Sequence, residues 1–203
     1  MKVLFLTALA TAHRVSELQA LSASIGFKRD GSAVLSFTPE FRAKTETLSR
    51  PVPRDFTIPA LSSLTDDKDE LLLCPVRALK LYLKITRFQG RSNKLFVSPW
   101  DFTCPLSKNG ITHFLKQVIS DAYADIPPEL IRITKINPHE IMAETTSLRF
   151  KYNMDQVALL KSAYWRSNSV FCSRYLRDSA STYLDGLALG PLIVAQGVIQ
   201  HID

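Results

Sequence analysis

Thr11-Ala12-His13-Arg14-Val15-Ser16-Glu17-Leu18 separates two apolar stripes, and its reading decides the fold. Ahead of it, Phe5, Leu6 and Leu9 recur at helical spacing, and from its second half onward Val15, Leu18 and Leu21 do the same. The spacing predicts two helical segments within residues 2 to 22, interrupted between Thr11 and Arg14. Ser16 and Glu17 fall in the first turn of the second segment, where an acid suits the helix N-terminus. Residues 1 to 10 look superficially like a secretory leader. Their apolar stretch, however, runs straight into His13-Arg14 and a helical pattern, with no processing-site context. They read as a buried helix that begins abruptly, and the expectation is a piece of a longer protein.

Working outward, Ile25-Gly26-Phe27-Lys28 and Ala33-Val34-Leu35-Ser36-Phe37 flank Arg29-Asp30-Gly31-Ser32, which predicts a hairpin turning at Asp30-Gly31. Pro39, Pro51, Pro53 and Pro59 punctuate residues 38 to 60, giving further sheet edge and loop with Lys44 in the middle. Thr65-Asp66-Asp67-Lys68-Asp69-Glu70 reads as an exposed acidic loop. Cys74-Pro75-Val76-Arg77 opens a helix whose face is Val76, Leu79 and Leu83. Leu95-Phe96-Val97-Ser98 reads as a short strand, and a helix is expected from about Ile111 to Tyr123. Further helices are expected from His139 to about Lys151 and over residues 155 to 160, with an apolar tail from Leu187. The fold class is therefore mainly α with a small antiparallel β-sheet, α+β, in a single domain over residues 1–203 whose tail is 186–203.

Composition narrows the function classes. No apolar run approaches the roughly 18 residues of a spanning helix, so no membrane partner is expected. Three cysteines, Cys74, Cys104 and Cys172, are too few and too scattered for a disulfide framework or metal site. The net charge of +6 is concentrated. Between Arg77 and Lys116 lie eight cations (Arg77, Lys80, Lys84, Arg87, Arg91, Lys94, Lys108, Lys116) and one acid, Asp101. A basic stretch on a near-neutral body points either to a polyanion partner or to a solvated helix face.

No Gly-rich phosphate loop, Cys/His metal spacing or nucleophile elbow is present. What remains is an ordered series: Arg14-Val15-Ser16-Glu17-Leu18, Lys44, Pro138-His139-Glu140-Ile141-Met142, Ala163-Tyr164-Trp165, and Phe171-Cys172-Ser173-Arg174-Tyr175-Leu176-Arg177-Asp178. On these residues the chain resembles the tyrosine recombinase (phage integrase) family, most closely the DIRS and Ngaro kind of eukaryotic retroelement recombinase. The likeness extends to Cys74-Pro75-Val76-Arg77-Ala78-Leu79, Leu106-Ser107-Lys108 and Leu189-Gly190-Pro191, and so to essentially the whole chain.

The resemblance implies the DNA breaking-rejoining catalytic fold and a role for each matched residue. Arg14 would be the first arginine clamping the scissile phosphate, and Glu17 would orient it. Lys44 would protonate the leaving 5′-hydroxyl; Lys28 and Arg42 share its region, and the resemblance alone selects it. His139 matches the histidine of a His-x-x-Arg motif, Trp165 stands where the family has His or Trp, and Tyr175 matches the nucleophile. These residue types suit the chemistry. A phenol attacks poorly until a neighbour such as histidine takes its proton. A pentavalent phosphate gains charge that an arginine fork meets bidentately. Exchange of one phosphodiester for another uses neither metal nor cofactor.

One position departs from the pattern. Met142 stands where the family has its second arginine, three residues after His139. Loss of one transition-state charge contact costs about 10²–10³ in rate. The expectation is an impaired recombinase that keeps its fold and DNA affinity, without the N-terminal core-binding domain of the family. Double-stranded DNA is the expected partner, with a homo-oligomer on DNA through the tail and no small-molecule substrate. By resemblance the location is nuclear. A non-catalytic DNA-binding remnant of a mobile element and a protein-interaction domain are the alternatives.

Overall fold

The structure, a computed structural model, describes residues 1–43, 46, 55–63, 66, 68–122 and 124. The first helix, α1 (Lys2–Thr11), is apolar almost all round, and such a helix must be enclosed on every side. Eight of its ten residues are buried, among them Leu4, Leu6, Ala8 and Leu9. Its two threonines avoid an unsatisfied hydroxyl by bonding one turn back: Thr7 Oγ1 donates to the Val3 carbonyl and Thr11 Oγ1 to the Thr7 carbonyl, both at 2.8 Å.

Ala12 ends α1 in the left-handed region (φ 54, ψ 25), its N–H donating to the Ala8 carbonyl at 2.9 Å. Glycine usually fills such a position because it has no Cβ to clash. The left-handed residue turns the chain sharply into α2 (Val15–Ala20), whose N-cap is Arg14. The two apolar stripes of the sequence are thus two helices joined by a tight elbow.

The expected hairpin forms. Strands β1 (Gly26–Phe27) and β2 (Ala33–Ser36) pair antiparallel with Gly26 opposite Val34. Asp30 Oδ1 accepts the N–H and hydroxyl of Ser32, and Gly31 supplies the positive φ of the turn. Strand β3 (Asp55–Ile58) joins the other edge of β2 with Leu35 opposite Phe56, completing an antiparallel sheet in the order β1-β2-β3. Along β2, Ala33 and Leu35 are buried while Val34 and Ser36 are half-buried, the alternation of a sheet with one face on the core.

Helix α3 (Lys68–Leu72) precedes α4 (Pro75–Ile85), which starts at Cys74 as expected and buries Val76 and Leu79. Helix α5 (Lys108–Ala122) buries Ile111 and Leu115. Helix α1 packs on α4 and α5, and α2 packs on α5. One apolar cluster joins the helices to the sheet through Leu18, Leu21, Leu35, Ile58, Leu79 and Leu95. The segment after α2 stitches them together: Ser22 donates to the Ser36 carbonyl on one side, and Leu21 accepts from Leu95 on the other. Among the described residues the architecture is mixed α+β, helices around one small antiparallel sheet.

Two local expectations are corrected. The acidic run is not all loop, because α3 begins at Lys68 and takes Asp69 and Glu70 into its first turn, where acids complement the helix dipole. Leu95 to Ser98 is not a strand. Lys94 and Val97 form isolated bridges to Ser22 and Pro105. Pro105 has no N–H with which to extend a ladder, and the Val97 N–H donates instead to Tyr82 Oη at 2.9 Å. The helices expected beyond residue 124 and the tail 186–203 lie outside the described residues.

Candidate functional site at the α1–α2 elbow

The elbow makes Arg14 the N-cap of α2 and Glu17 its third residue, which brings the acid back over the helix start. Glu17 Oε2 accepts the Arg14 backbone N–H at 2.8 Å. Glu17 Oε1 lies 3.4 Å from Arg14 Nη1. One carboxylate therefore closes the helix N-terminus and steadies the guanidinium above it. Exposure divides their roles: the Glu17 side chain is 3% accessible and that of Arg14 is 22% accessible. The acid is inside, and the cation looks out. Among the described residues Glu17 is the one partner of the guanidinium, so most of its five N–H donors remain available to an incoming anion.

Burial pushes the Glu17 carboxyl above its ordinary value, while the Arg14 N–H and guanidinium pull it back down. On its other side stands His13, with Nδ1 3.6 Å from Glu17 Oε2. The imidazole packs edge-on against Phe56 at 4.6 Å between ring centres and tilted against Phe37 at 5.4 Å. Phe41 in turn packs on Phe37 at 4.9 Å. An aromatic layer from β3 (Phe56) and the segment just after β2 (Phe37, Phe41) thus lies beside the acid. His13 is not among the residues that the family resemblance matches. Its spacing of four from Glu17 was the available signal, and the aromatic layer was not visible locally.

The structure brings Arg14 and Glu17 together. Lys44, His139, Met142, Trp165 and Tyr175 lie outside the described residues. Near Lys44, Arg42 is exposed and lies 3.6 Å from Glu46, whose other oxygen accepts the Ala43 N–H. Lys28 is exposed at the hairpin turn.

The basic stretch divides in two. Arg77, Lys80 and Lys84 are exposed along α4, Arg87 follows them, and Lys108 and Lys116 are exposed on α5. Lys80 Nζ also sits 5.1 Å above the Phe27 ring. Arg91 and Lys94 are spent on the fold. Arg91 donates to the carbonyls of Ser92, Lys94 and Leu95 at 2.7, 3.0 and 2.6 Å. Lys94 Nζ bonds Thr38 Oγ1 and Glu40 Oε1.

The α4 cations share their outer face with exposed Leu81 and Ile85. Ile85 borders an apolar pocket of about 260 Å³ that Leu4, Tyr82, Phe96 and Phe102 also line. Among the described residues no group of His, Cys, Asp and Glu could hold a metal ion, and no helix is long and apolar enough to cross a membrane. Cys74 is buried, its sulfur accepting the Leu61 N–H.

No family model matches the chain, and no curated protein is significantly similar to it.

Proposed function

We propose that this chain is a tyrosine recombinase-like domain that binds double-stranded DNA and is impaired in strand transfer. The observation that carries the reading is the Arg14–Glu17 pair: a partly exposed guanidinium held from beneath by a buried carboxylate, with its remaining donors open among the described residues. That is the arrangement a phosphate clamp calls for, because the cation is oriented before the anion arrives. The ordered series from Arg14 through Lys44, His139 and Trp165 to Tyr175 supplies the rest.

In this reading the Tyr175 phenol attacks the scissile phosphorus as His139 takes its proton. The new bond joins the tyrosine oxygen to phosphorus, and the bond to the 5′-oxygen breaks. Lys44 gives that oxygen its proton. The product is a 3′-phosphotyrosyl protein and a free 5′-hydroxyl, with no net change in bond type. Arg14 and the Trp165 indole N–H meet the charge that gathers on the phosphate. Met142 leaves the second cationic contact unfilled, which favours DNA binding with weak or absent transfer. The same reading places the protein on nuclear DNA, assembled with copies of itself through the tail 186–203.

The test is a nicked suicide duplex followed by a denaturing gel for a covalent adduct. The native chain should give little adduct, Met142→Arg more, and Met142→Arg with Tyr175→Phe none. Restoring the charge should recover roughly 3–4 kcal/mol of transition-state stabilisation. Strong adduct from the native chain would overturn the assigned defect. No adduct from a folded, DNA-binding Met142→Arg protein would make the non-catalytic remnant the correct reading.

A further inference from the structure

We propose that His13 is a positioning residue for Arg14, acting through the Glu17 carboxylate and anchoring that carboxylate to the β-sheet. Three observations carry this. First, Glu17 is flanked on two sides, with His13 Nδ1 3.6 Å from Oε2 and Arg14 Nη1 3.4 Å from Oε1. Second, the imidazole is itself held, edge-on to Phe56 at 4.6 Å and tilted to Phe37 at 5.4 Å. Third, His13 follows the left-handed Ala12, which fixes where its side chain leaves the backbone. The chain of contact runs from β3 and the residue just after β2 through the ring to the carboxylate and then to the guanidinium.

The physical logic is that of a buried anion. A carboxylate removed from water keeps a fixed position when polar partners hold it from more than one side. The Arg14 N–H holds Oε2 at 2.8 Å, while the partly exposed guanidinium draws on Oε1 from the solvent side. The imidazole nitrogen, 3.6 Å from Oε2 and so beyond hydrogen-bond distance, sits in a ring packed against two phenylalanines and limits the movement of the carboxylate. A change in the β2–β3 region would therefore reach Arg14 without touching it.

The functional consequence rests on the reading of Arg14 as a phosphate clamp; the positioning itself does not. The two are separated by measuring the Arg14 side-chain Nε–H resonance in ¹⁵N-labelled full chain without DNA, identified by its loss in Arg14→Lys. His13→Phe keeps a ring against Phe37 and Phe56 and removes the nitrogen, so the Arg14 resonance should move. His13→Asn keeps a polar nitrogen near the place of Nδ1 and removes the ring. There the Arg14 resonance should stay close to native while the melting temperature falls. A purely packing role would give the opposite pattern, and an unmoved Arg14 resonance in folded His13→Phe would overturn the proposal. If neither His13 variant folds, Glu17→Gln decides. It should shift the ring nitrogens of His13 together with the Arg14 signal, and native His13 shifts would overturn the coupling. Separately, Arg14→Ala with unchanged affinity for duplex DNA would refute the clamp and leave the positioning intact.

Discussion

Lys94 Nζ lies 2.6 Å from Glu40 Oε1, tying the loop after α4 to the segment that leaves β2. The same ammonium bonds Thr38 Oγ1 at 2.5 Å. A lysine from the most basic part of the chain is thus engaged in joining two parts of the fold. Hydrogen bonding from Lys94, with smaller contributions from the Glu40 N–H and Thr38, lowers the Glu40 carboxyl from 4.5 to about 2. A carboxyl whose folded pKa is depressed adds stability above its unfolded value and loses it as pH falls through the folded one. The Glu40 carboxylate is exposed, and solvent screening keeps the effect small. Between pH 4.5 and about 2 the native protein should therefore lose more melting temperature than Lys94→Met does. Parallel losses in the two proteins would show that the pair does not hold in solution.

The division of the basic stretch predicts how DNA affinity responds to salt. Arg77, Lys80 and Lys84 are exposed along α4, whereas Arg91 and Lys94 are bonded to carbonyls, Thr38 and Glu40. Each phosphate contact contributes about 0.9 to the slope of log affinity against log salt. Replacing Arg77, Lys80 and Lys84 together with alanine should flatten that slope by roughly 2–3 if all three meet phosphates. Lys94→Met should leave it unchanged. Equal slopes for the native chain and the triple variant would move the DNA-binding face elsewhere.

Legibility followed the range of the forces involved. The hairpin could be read because Asp30 and Gly31 make their own turn within five residues. Helix α1 could be read because nothing but burial suits such an apolar run. The Arg14–Glu17 pair is local, three residues apart, and resemblance pointed to it. The engagement of Lys94 was hidden because Thr38 and Glu40 lie 56 and 54 residues away in sequence. Leu95 to Ser98 has strand composition, yet its partner across the gap is a proline, and composition does not report its partner. His13 gains its setting from Phe37 and Phe56, which only the folded sheet brings near.

Ala12 offers a test of the elbow itself. Its φ of 54 costs an alanine about 1–2 kcal/mol relative to a relaxed conformation. Ala12→Gly removes that clash, but it gives up a buried methyl of about 0.8 kcal/mol and adds roughly 0.5–1 kcal/mol of unfolded-chain entropy. The net change in chemical denaturation should lie within about 1 kcal/mol of native. Ala12→Val places a branched Cβ at the same positive φ in a position only 1% exposed. It should cost more than about 2 kcal/mol. A valine variant as stable as the native chain would mean that the elbow relaxes out of the left-handed region.

Glu17 carries the last prediction, because two opposing influences act on one carboxyl. Burial is the larger and raises its pKa above 4.5; the Arg14 N–H and guanidinium oppose it. In the unfolded chain the ordinary value returns. Below that value both states hold the proton, and burial carries no charge penalty. As pH rises through 4.5 the unfolded chain releases its proton first, so stability falls until the folded value is passed. Glu17→Gln has no proton to lose at this position, and its amide oxygen can still accept the Arg14 N–H. Any fixed cost of the amide is the same at every pH and cancels from the trend. Depressed acids elsewhere, Asp30, Glu40 and Asp101, are common to both proteins and cancel as well. The difference in unfolding free energy, native minus Glu17→Gln, should therefore shift against the native protein as pH rises above 4.5. Urea titrations of both proteins across the acid range measure it. A difference that moves in favour of the native chain would mean that Arg14 and His13 together outweigh burial, and that the carboxyl titrates below its ordinary value. The clamp predicts a second, separable loss: with the carboxylate gone the guanidinium is less firmly held, so Glu17→Gln should bind duplex DNA more weakly even where it is the more stable protein.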